Sequence, residues 1–153
     1  MAKRSAGLLM YRFGEDHELQ VFLVHPGGPF WAKKDLGSWS ICKGEYAEGE
    51  PALEAARREF QEETGFAAEG NFLELGTVTQ AGGKVVSAWA FEGDCDPDKL
   101  VSNRCQIPWP PRSGRTIEIP EVDRGDWFSI PEARKRILQS QLVFLDRLSQ
   151  KLI

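Results

Sequence analysis

The segment from Pro51 to Gly65 constrains the fold most strongly, because its residues repeat with a helical period and both of its ends carry a marker. Proline is favoured at the first position of a helix, and glycine commonly ends one. Between these markers, Leu53, Phe60 and Thr64 fall on one stripe at about 100° per residue. The segment therefore predicts an amphipathic helix that packs this stripe against a core.

Apolar runs separated by turn residues lie on both sides of this helix and predict strands. The predicted strands cover residues 6–13, 19–25, 39–42, 72–79, 84–91, 116–119 and 127–130. Two further helices are predicted over residues 131–138 and 141–152. The segment 94–114 carries four prolines and little periodicity, which predicts a long irregular connection. Strands interleaved with helices indicate a layered α/β or α+β domain.

The composition limits the number of domains and the class of partner. A chain of 153 residues with 41% hydrophobic residues can build one packed core, so we expect a single domain over residues 1–153. The net charge of −4 argues against binding nucleic acid by broad phosphate neutralisation. No apolar stretch approaches the roughly 18 residues of a membrane span. The three cysteines lack paired metal-type spacing and suit a reducing compartment. We therefore expect a cytoplasmic protein with no membrane or nucleic-acid partner.

Three carboxylates, those of Glu59, Glu62 and Glu63, share one arc of the predicted helix. Arg58 lies four residues before Glu62, whereas Glu59 and Glu63 have no basic residue three or four positions away. One interpretation is a solvated face with salt bridges. The other is a cation site, since clustered carboxylate oxygens favour Mg²⁺ or Mn²⁺, and the helix alone does not decide between them. Small side chains one or two turns earlier would leave space for a ligand: Ala52, Ala55 and Ala56.

A longer pattern around the helix resembles a known family signature. The segment from Gly44 to Phe66 is similar to the Nudix box, Gly-x5-Glu-x7-Arg-Glu-U-x-Glu-Glu-x-Gly-U with U an apolar residue, at every defined position. The resemblance implies a Nudix hydrolase with an α/β fold, specifically an α/β/α sandwich with a mixed sheet. It also implies cleavage of a diphosphate linkage in a nucleotide-type small molecule, with Mg²⁺ or Mn²⁺ as cofactor.

The resemblance assigns roles to residues of the box. The implied metal ligands are the backbone carbonyl of Gly44 and the carboxylates of Glu59, Glu62 and Glu63. The match to Glu50 and Arg58 implies an ion pair that locks the loop to the helix. Because Arg58 points away from the Glu59 and Glu63 side of the arc, we expect it to support the site without touching substrate. A free carboxylate from the box or from another loop would act as general base.

Residues before and after the box supply further candidates. The run 39–45 resembles the Trp-Ser-x-Pro-Lys-Gly-Glu run of one Nudix branch, which implies a phosphate contact for Lys43 in place of a solvated surface lysine. Cys42 replaces the proline of that branch, and we do not expect it to act as a nucleophile. Glu121 matches a position from which several Nudix proteins bring an additional carboxylate to the metals. Glu118 is its competitor, and an ordinary surface position is the alternative for both.

The segment after residue 108 carries two arginines that could clamp phosphates. Arg112 and Arg115 present guanidinium groups on a proline-rich loop, and the alternative is a stiff solvated loop. Trp109 could stack on a base, although packing on the core is the more ordinary role for a tryptophan. His17 and His25 are isolated in the sequence, and we expect neither to be catalytic.

These observations favour an active pyrophosphohydrolase over two alternatives. A Nudix-fold module that senses or binds a nucleotide without turnover would typically lose carboxylates of the box, and this chain keeps them all. A nucleic-acid-binding domain is opposed by the acidic balance. The expected partner is a small-molecule nucleotide or polyphosphate, such as a nucleoside triphosphate or a dinucleoside polyphosphate. The box leaves the choice among these substrates open.

Overall fold

A ten-residue segment near the start of the chain, with an apolar centre, forms the middle strand of the main sheet. The computed structural model describes residues 3–152. Its strands are β1 (Arg4–Phe13), β2 (Leu19–Pro26), β3 (Cys42–Glu45), β4 (Leu73–Thr79), β5 (Val85–Glu92), β6 (Arg104–Pro108), β7 (Thr116–Pro120) and β8 (Val122–Ser129). Its α-helices are α1 (Ala52–Thr64), α2 (Ile130–Arg136) and α3 (Leu142–Lys151). None of the helices in these residues combines the length and apolar character needed to cross a membrane.

The main sheet has six strands in the order β4-β5-β1-β2-β8, with β3 also paired to β1. The pair β1–β5 is parallel and the other pairs are antiparallel, so the sheet is mixed. β1 changes partner along its length, because Ser5 to Leu8 face β3 whereas Tyr11 to Phe13 face β2. A single bridge between Val24 and Ser40 connects β2 to the segment before β3. The candidate site lies beside β1, near the point where the neighbour of β1 changes from β3 to β2.

Helices cover both faces of the sheet and give the expected α/β/α sandwich. On one face, α1 buries Ala55, Ala56 and Phe60 against β1, β3 and β5. On the other face, α2 and α3 bury Ala133 and Phe144 in a separate core cluster, which includes Leu9 and Leu23 of the sheet. The alanines of α1 therefore permit a close approach of helix and sheet. The expectation that they leave space for a ligand is wrong for Ala55 and Ala56, which are fully buried, whereas Ala52 is half-buried and lines a surface pocket away from Glu63.

Three of the predicted elements differ from the structure. The strand predicted over 127–130 is β8, which begins at Val122 and ends at Ser129, because Ile130 starts α2. The segment 94–114 is not irregular throughout, because β6 lies within it and pairs with β7 as a separate two-stranded sheet. Of the prolines that favoured a loop, Pro97 lies in a short turn before β6, and the other three lie at the end and tip of the hairpin, so they do not interrupt the ladder. The strand predicted over 39–42 begins only at Cys42, because the backbone N–H of Ile41 is bound by the Gln141 side chain at 3.0 Å.

Candidate active site

Gly44 lies in the short strand β3, next to helix α1. A Cβ at this position would overlap the carboxylate of Glu59, so the helix can approach the strand this closely only because residue 44 is glycine. The close approach brings the Gly44 backbone and the Glu59 carboxylate together. Glu59 itself is buried.

Arg58 ties the loop before α1 to the acidic side of the helix. Its Nε and Nη2 donate to the two Glu50 oxygens at 3.1 and 3.2 Å, which is the expected ion pair in a two-point geometry. Its Nη1 donates to Glu59 at 3.0 Å and to Glu62 at 3.4 Å. Helical geometry alone indicated that Arg58 points away from Glu59. This expectation is wrong, because the two side chains are hydrogen-bonded. The long side chain of Arg58 bends back across the turn. The Glu50 hydrogen bond is the main cause of the raised pKa of Arg58.

Glu63 lies deepest in the site, with a relative exposure of 7%. Its Oε2 is buried and has no hydrogen-bond partner among the described residues. Burial, followed by the nearby Glu59 and Glu121, raises the pKa of Glu63 to about 9. Burial also raises the pKa of Glu59, although the adjacent Arg58 opposes this shift. Two neighbouring carboxyl groups are therefore kept from ionising freely.

Glu121 meets Glu63 across a cavity of about 180 Å³. It lies between β7 and β8, and its backbone carbonyl accepts a hydrogen bond from Gly27 at 3.0 Å. Its competitor Glu118 lies on the β6–β7 hairpin and pairs with Arg104 at 2.6 Å. Of the two candidates, the fold brings Glu121 to the buried carboxylates and leaves Glu118 on an exposed salt bridge.

Lys43 lines the same cavity as Glu63 and Glu121. Burial lowers the pKa of Lys43, and the nearby Lys84 ammonium lowers it further, whereas Glu63 has the opposite effect. Its cation is thus largely removed from solvent beside the acidic cluster. The preceding Cys42 is buried in the core, and burial raises the pKa of its thiol well above the usual value. This environment does not activate a nucleophile.

Arg112 and Arg115 lie at the tip of the β6–β7 hairpin, and both are exposed. Trp109 is half-buried at the same tip and donates its backbone N–H to the Arg115 carbonyl at 2.9 Å. It belongs to neither of the two core clusters of the described residues, so the expected core packing is not seen. None of these three residues lines the cavity. The structure therefore does not bring them together with the buried carboxylates.

Sequence reasoning missed the apolar wall of the cavity. Trp31, Ile41 and Leu138 line it, together with Ser38 and Ser40, whose hydroxyl groups donate to the backbone carbonyls of Asp35 and Ile41. These residues come from loops and from the segment after α2, and no periodicity or motif connects them. Neither of the two histidines lines the cavity. His17 is exposed in a short turn, whereas His25 is fully buried.

The arrangement can attract a cation, although it is not a finished metal cage. Among residues 3–152, no three His, Cys, Asp or Glu side chains already converge as metal ligands. The unpartnered Glu63 oxygen nevertheless faces a cluster with Glu59 and Glu121, and carboxylate oxygens suit hard divalent ions. The donor set therefore fits Mg²⁺ or Mn²⁺ better than a soft metal, which would require thiolate or imidazole ligands.

A family model described as "NUDIX domain" matches residues 1–148 of the chain. The chain belongs to the NUDIX domain family. This match covers almost the whole sequence, including both flanks of the box. It confirms the resemblance that the segment from Gly44 to Phe66 indicated.

Solved structures show the same NUDIX fold at low sequence identity. An Ap4A hydrolase from C. elegans, in a binary complex, is 20% identical, with a TM-score of 0.68 and coverage of 97% of each chain. The NUDIX domain of NrtR from Shewanella oneidensis, complexed with ADP ribose, is 16% identical, with a TM-score of 0.69 and coverage of 100% of this chain and 90% of that one. A NUDIX hydrolase from Nitrosomonas europaea is 20% identical, with a TM-score of 0.60, covering 99% and 91%. At these identities, the likeness concerns the fold.

Proposed function

We propose that the chain is a divalent-metal-dependent pyrophosphohydrolase that cleaves a diphosphate linkage in a small nucleotide-type substrate. The observation that carries this proposal is the buried, unpartnered Oε2 of Glu63 beside Glu59 and Glu121. Burying an ionised carboxylate without a partner costs several kcal/mol. The alternative is that the group keeps its proton, which requires a strongly raised pKa. A divalent ion would remove that cost and supply a reason for the cluster.

Glu59, Glu63 and Glu121 would hold Mg²⁺ or Mn²⁺, together with the Gly44 carbonyl, and Glu62 would complete the set from the rim. Once bound, the ion would neutralise charge on the phosphate oxygens and lower the pKa of an attacking water. Glu50 and Arg58 keep the loop 45–50 against the helix through their two-point pair.

Lys43 would contact a substrate phosphate, because it lines the same cavity as Glu63 and Glu121. A half-buried ammonium interacts more strongly with an anion than a fully exposed one does, and Lys43 is half-buried. Arg112 and Arg115 do not line the cavity, so their proposed phosphate contact is a prediction for the part of the substrate that extends beyond it. The substrate is a free nucleotide or polyphosphate, and the acidic balance of the chain disfavours nucleic acid. A single domain in the cytoplasm is consistent with this chemistry.

The proposed activity can be tested with a panel of nucleotides. Nucleoside triphosphates, dinucleoside polyphosphates and ADP ribose are incubated with Mg²⁺, with Mn²⁺ or with EDTA, and the products are identified by mass spectrometry. We expect cleavage at a diphosphate bond that requires the metal. Glu54 is exposed on the same helix, so Glu54→Gln is a control that should retain full activity. Absence of turnover across the panel with either metal would contradict the proposal.

A second candidate function is nucleotide binding without turnover. The NrtR domain with bound ADP ribose shares this fold at a TM-score of 0.69, which is the observation in its favour. This alternative predicts saturable binding of ADP ribose by calorimetry and no product after long incubation with Mn²⁺. The retained carboxylates of the box favour catalysis over this alternative.

A further inference from the structure

The cavity beside the carboxylates is lined by two chemically different groups of residues. One group carries charge: Lys43, Glu63 and Glu121. The other group includes the aromatic side chain of Trp31 and the aliphatic side chain of Leu138. Ligand sites typically combine apolar walls with a few placed polar groups. The two groups suit a molecule that carries both a polyphosphate and a flat ring.

The size of the cavity limits what it can enclose. Its volume of about 180 Å³ is below the roughly 300 Å³ at which pockets begin to hold a whole drug-sized ligand. The cavity can therefore contact the base and a phosphate of a nucleotide without enclosing the whole molecule, and the remainder extends into solvent. Among the lining residues, an aromatic side chain is the one that would bind a nucleobase most favourably, because stacking requires only a flat face on each partner.

Trp31 is held in place by its backbone and its loop neighbours. Its carbonyl accepts a hydrogen bond from the Lys34 N–H at 2.9 Å, and the Phe30 ring packs edge-on against it at 5.0 Å. The Lys34 carbonyl in turn accepts a hydrogen bond from Nε2 of the buried His25 at 2.6 Å. His25 Nδ1 lies 2.9 Å from the Asp123 carboxylate, two residues after Glu121. The loop 27–38 is thus fixed to the strand that follows Glu121.

The Trp31 ring is not needed to complete the hydrophobic core. It is half-buried and belongs to neither core cluster of the described residues. A large aromatic side chain that lines a cavity without joining a core is available for a ligand.

We propose that Trp31 determines specificity by stacking on the nucleobase of the substrate, with the phosphates directed towards Lys43 and Glu63. This inference rests on the proposed function for the identity of the substrate class. It goes beyond that function because it assigns recognition of the base to a residue outside the Nudix box. Stacking of one base on an aromatic side chain corresponds to about 10- to 100-fold in affinity.

The test compares a nucleotide with a substrate that has no base. KM and kcat are measured for the best nucleoside triphosphate of the panel and for inorganic tripolyphosphate. Trp31→Ala should raise KM for the nucleotide by about 10- to 100-fold, with kcat nearly unchanged and with no effect on tripolyphosphate. Trp31→Phe should recover most of the affinity. Leu36 is exposed in the same loop and does not line the cavity, so Leu36→Ala is the matched control and should leave KM unchanged.

Two outcomes would overturn the inference. One is an unchanged nucleotide KM in Trp31→Ala, and the other is an equal rise for tripolyphosphate, which would show a general role in loop support. Calorimetric binding of ADP and of tripolyphosphate separates this inference from the proposed function. If the wild type lacks turnover but Trp31→Ala weakens ADP binding alone, the proposed function fails and the base contact stands. If ADP does not bind, or binds both proteins equally, the base contact fails.

Discussion

Glu62 and Glu63 are adjacent on the same helix, yet their surroundings differ in each property that matters for a charge. Glu62 is exposed, and its carboxylate accepts a hydrogen bond from Arg58 at 3.4 Å. Glu63 is 7% exposed and keeps one oxygen without a partner. The salt bridge and solvent account for Glu62 without any ligand. The environment of Glu63 disfavours its charged form, so a bound cation would explain why a carboxylate lies at this position.

The comparison also shows what the sequence pattern alone could not separate. All three carboxylates of the helix share one arc, and the box assigns them one task. In the folded protein, they form a graded set from the open rim to the buried interior. The three predictions that follow test whether this grading reflects function, in order of decreasing effect.

The largest effect is expected for turnover in the two neighbouring amide variants. Glu63→Gln should lower kcat by at least about 100-fold, because it removes a buried ligand oxygen that has no substitute. Glu62→Gln should lower kcat by about 10-fold or less, since solvent can replace an oxygen at the rim. Steady-state kinetics at saturating Mg²⁺ measures both, with circular dichroism to check the fold. Equal losses in the two variants would remove the distinction on which the comparison depends.

The next effect is on the pH dependence of stability without metal. The pKa of Glu63 is raised from 4.5 to about 9 in the folded protein. Between these values the folded state holds a proton that the unfolded state has released. The free energy of unfolding should therefore fall as pH rises through this window, by up to about 1.4 kcal/mol per pH unit.

Urea midpoints in EDTA, at about pH 6 and about pH 8, measure this slope for the wild type and for Glu63→Gln. The variant lacks the titrating group, so its midpoint should fall less than that of the wild type. Glu62→Gln keeps Glu63 and should retain the wild-type slope. Parallel pH profiles for wild type and Glu63→Gln would show that Glu63 is ionised without metal, contrary to the account.

The smallest effect is expected for the ion pair that supports the rim. Arg58→Ala and Glu50→Ala should each lower turnover by about 10-fold, because their pair holds the loop 45–50 against the helix. Both side chains are partly exposed, at 41% and 31%, so their coupling in unfolding free energy should be only about 0.5–1 kcal/mol. A double-mutant cycle measures the coupling. Additive changes with normal turnover would make Arg58 an ordinary solvated residue.

The helix and its supporting pair could be predicted because their determinants are local. Pro51 and Gly65 mark the ends of the helix, and the Glu50–Arg58 spacing is part of the box. The preference for Glu121 over Glu118 came from the family resemblance and not from a local pattern, because the positions of both depend on the β6–β7 hairpin and on where β8 begins. Prolines near the hairpin tip also concealed its first strand from a periodicity argument.

The cavity wall escaped prediction for a related reason. Trp31 and Leu138 are more than one hundred residues apart in the chain, and they line the same cavity because the loop 27–38 is bound to the end of α2, where the Gly37 N–H donates to the Lys135 carbonyl at 3.1 Å. No local pattern encodes that contact. The buried state of Glu63 also depends on the sheet beneath the helix, and spacing along the helix showed only that the carboxylates share an arc.

Proton release on metal binding tests the central claim most directly. If Glu63 is protonated in the metal-free protein and becomes a ligand, then Mn²⁺ binding at neutral pH must displace about one proton. Calorimetry in buffers of different ionisation enthalpy counts that proton. We expect about one proton for the wild type and for Glu62→Gln, and no proton with at least about 10-fold weaker binding for Glu63→Gln. Equal Mn²⁺ affinity and equal proton release in the wild type and Glu63→Gln would contradict the account.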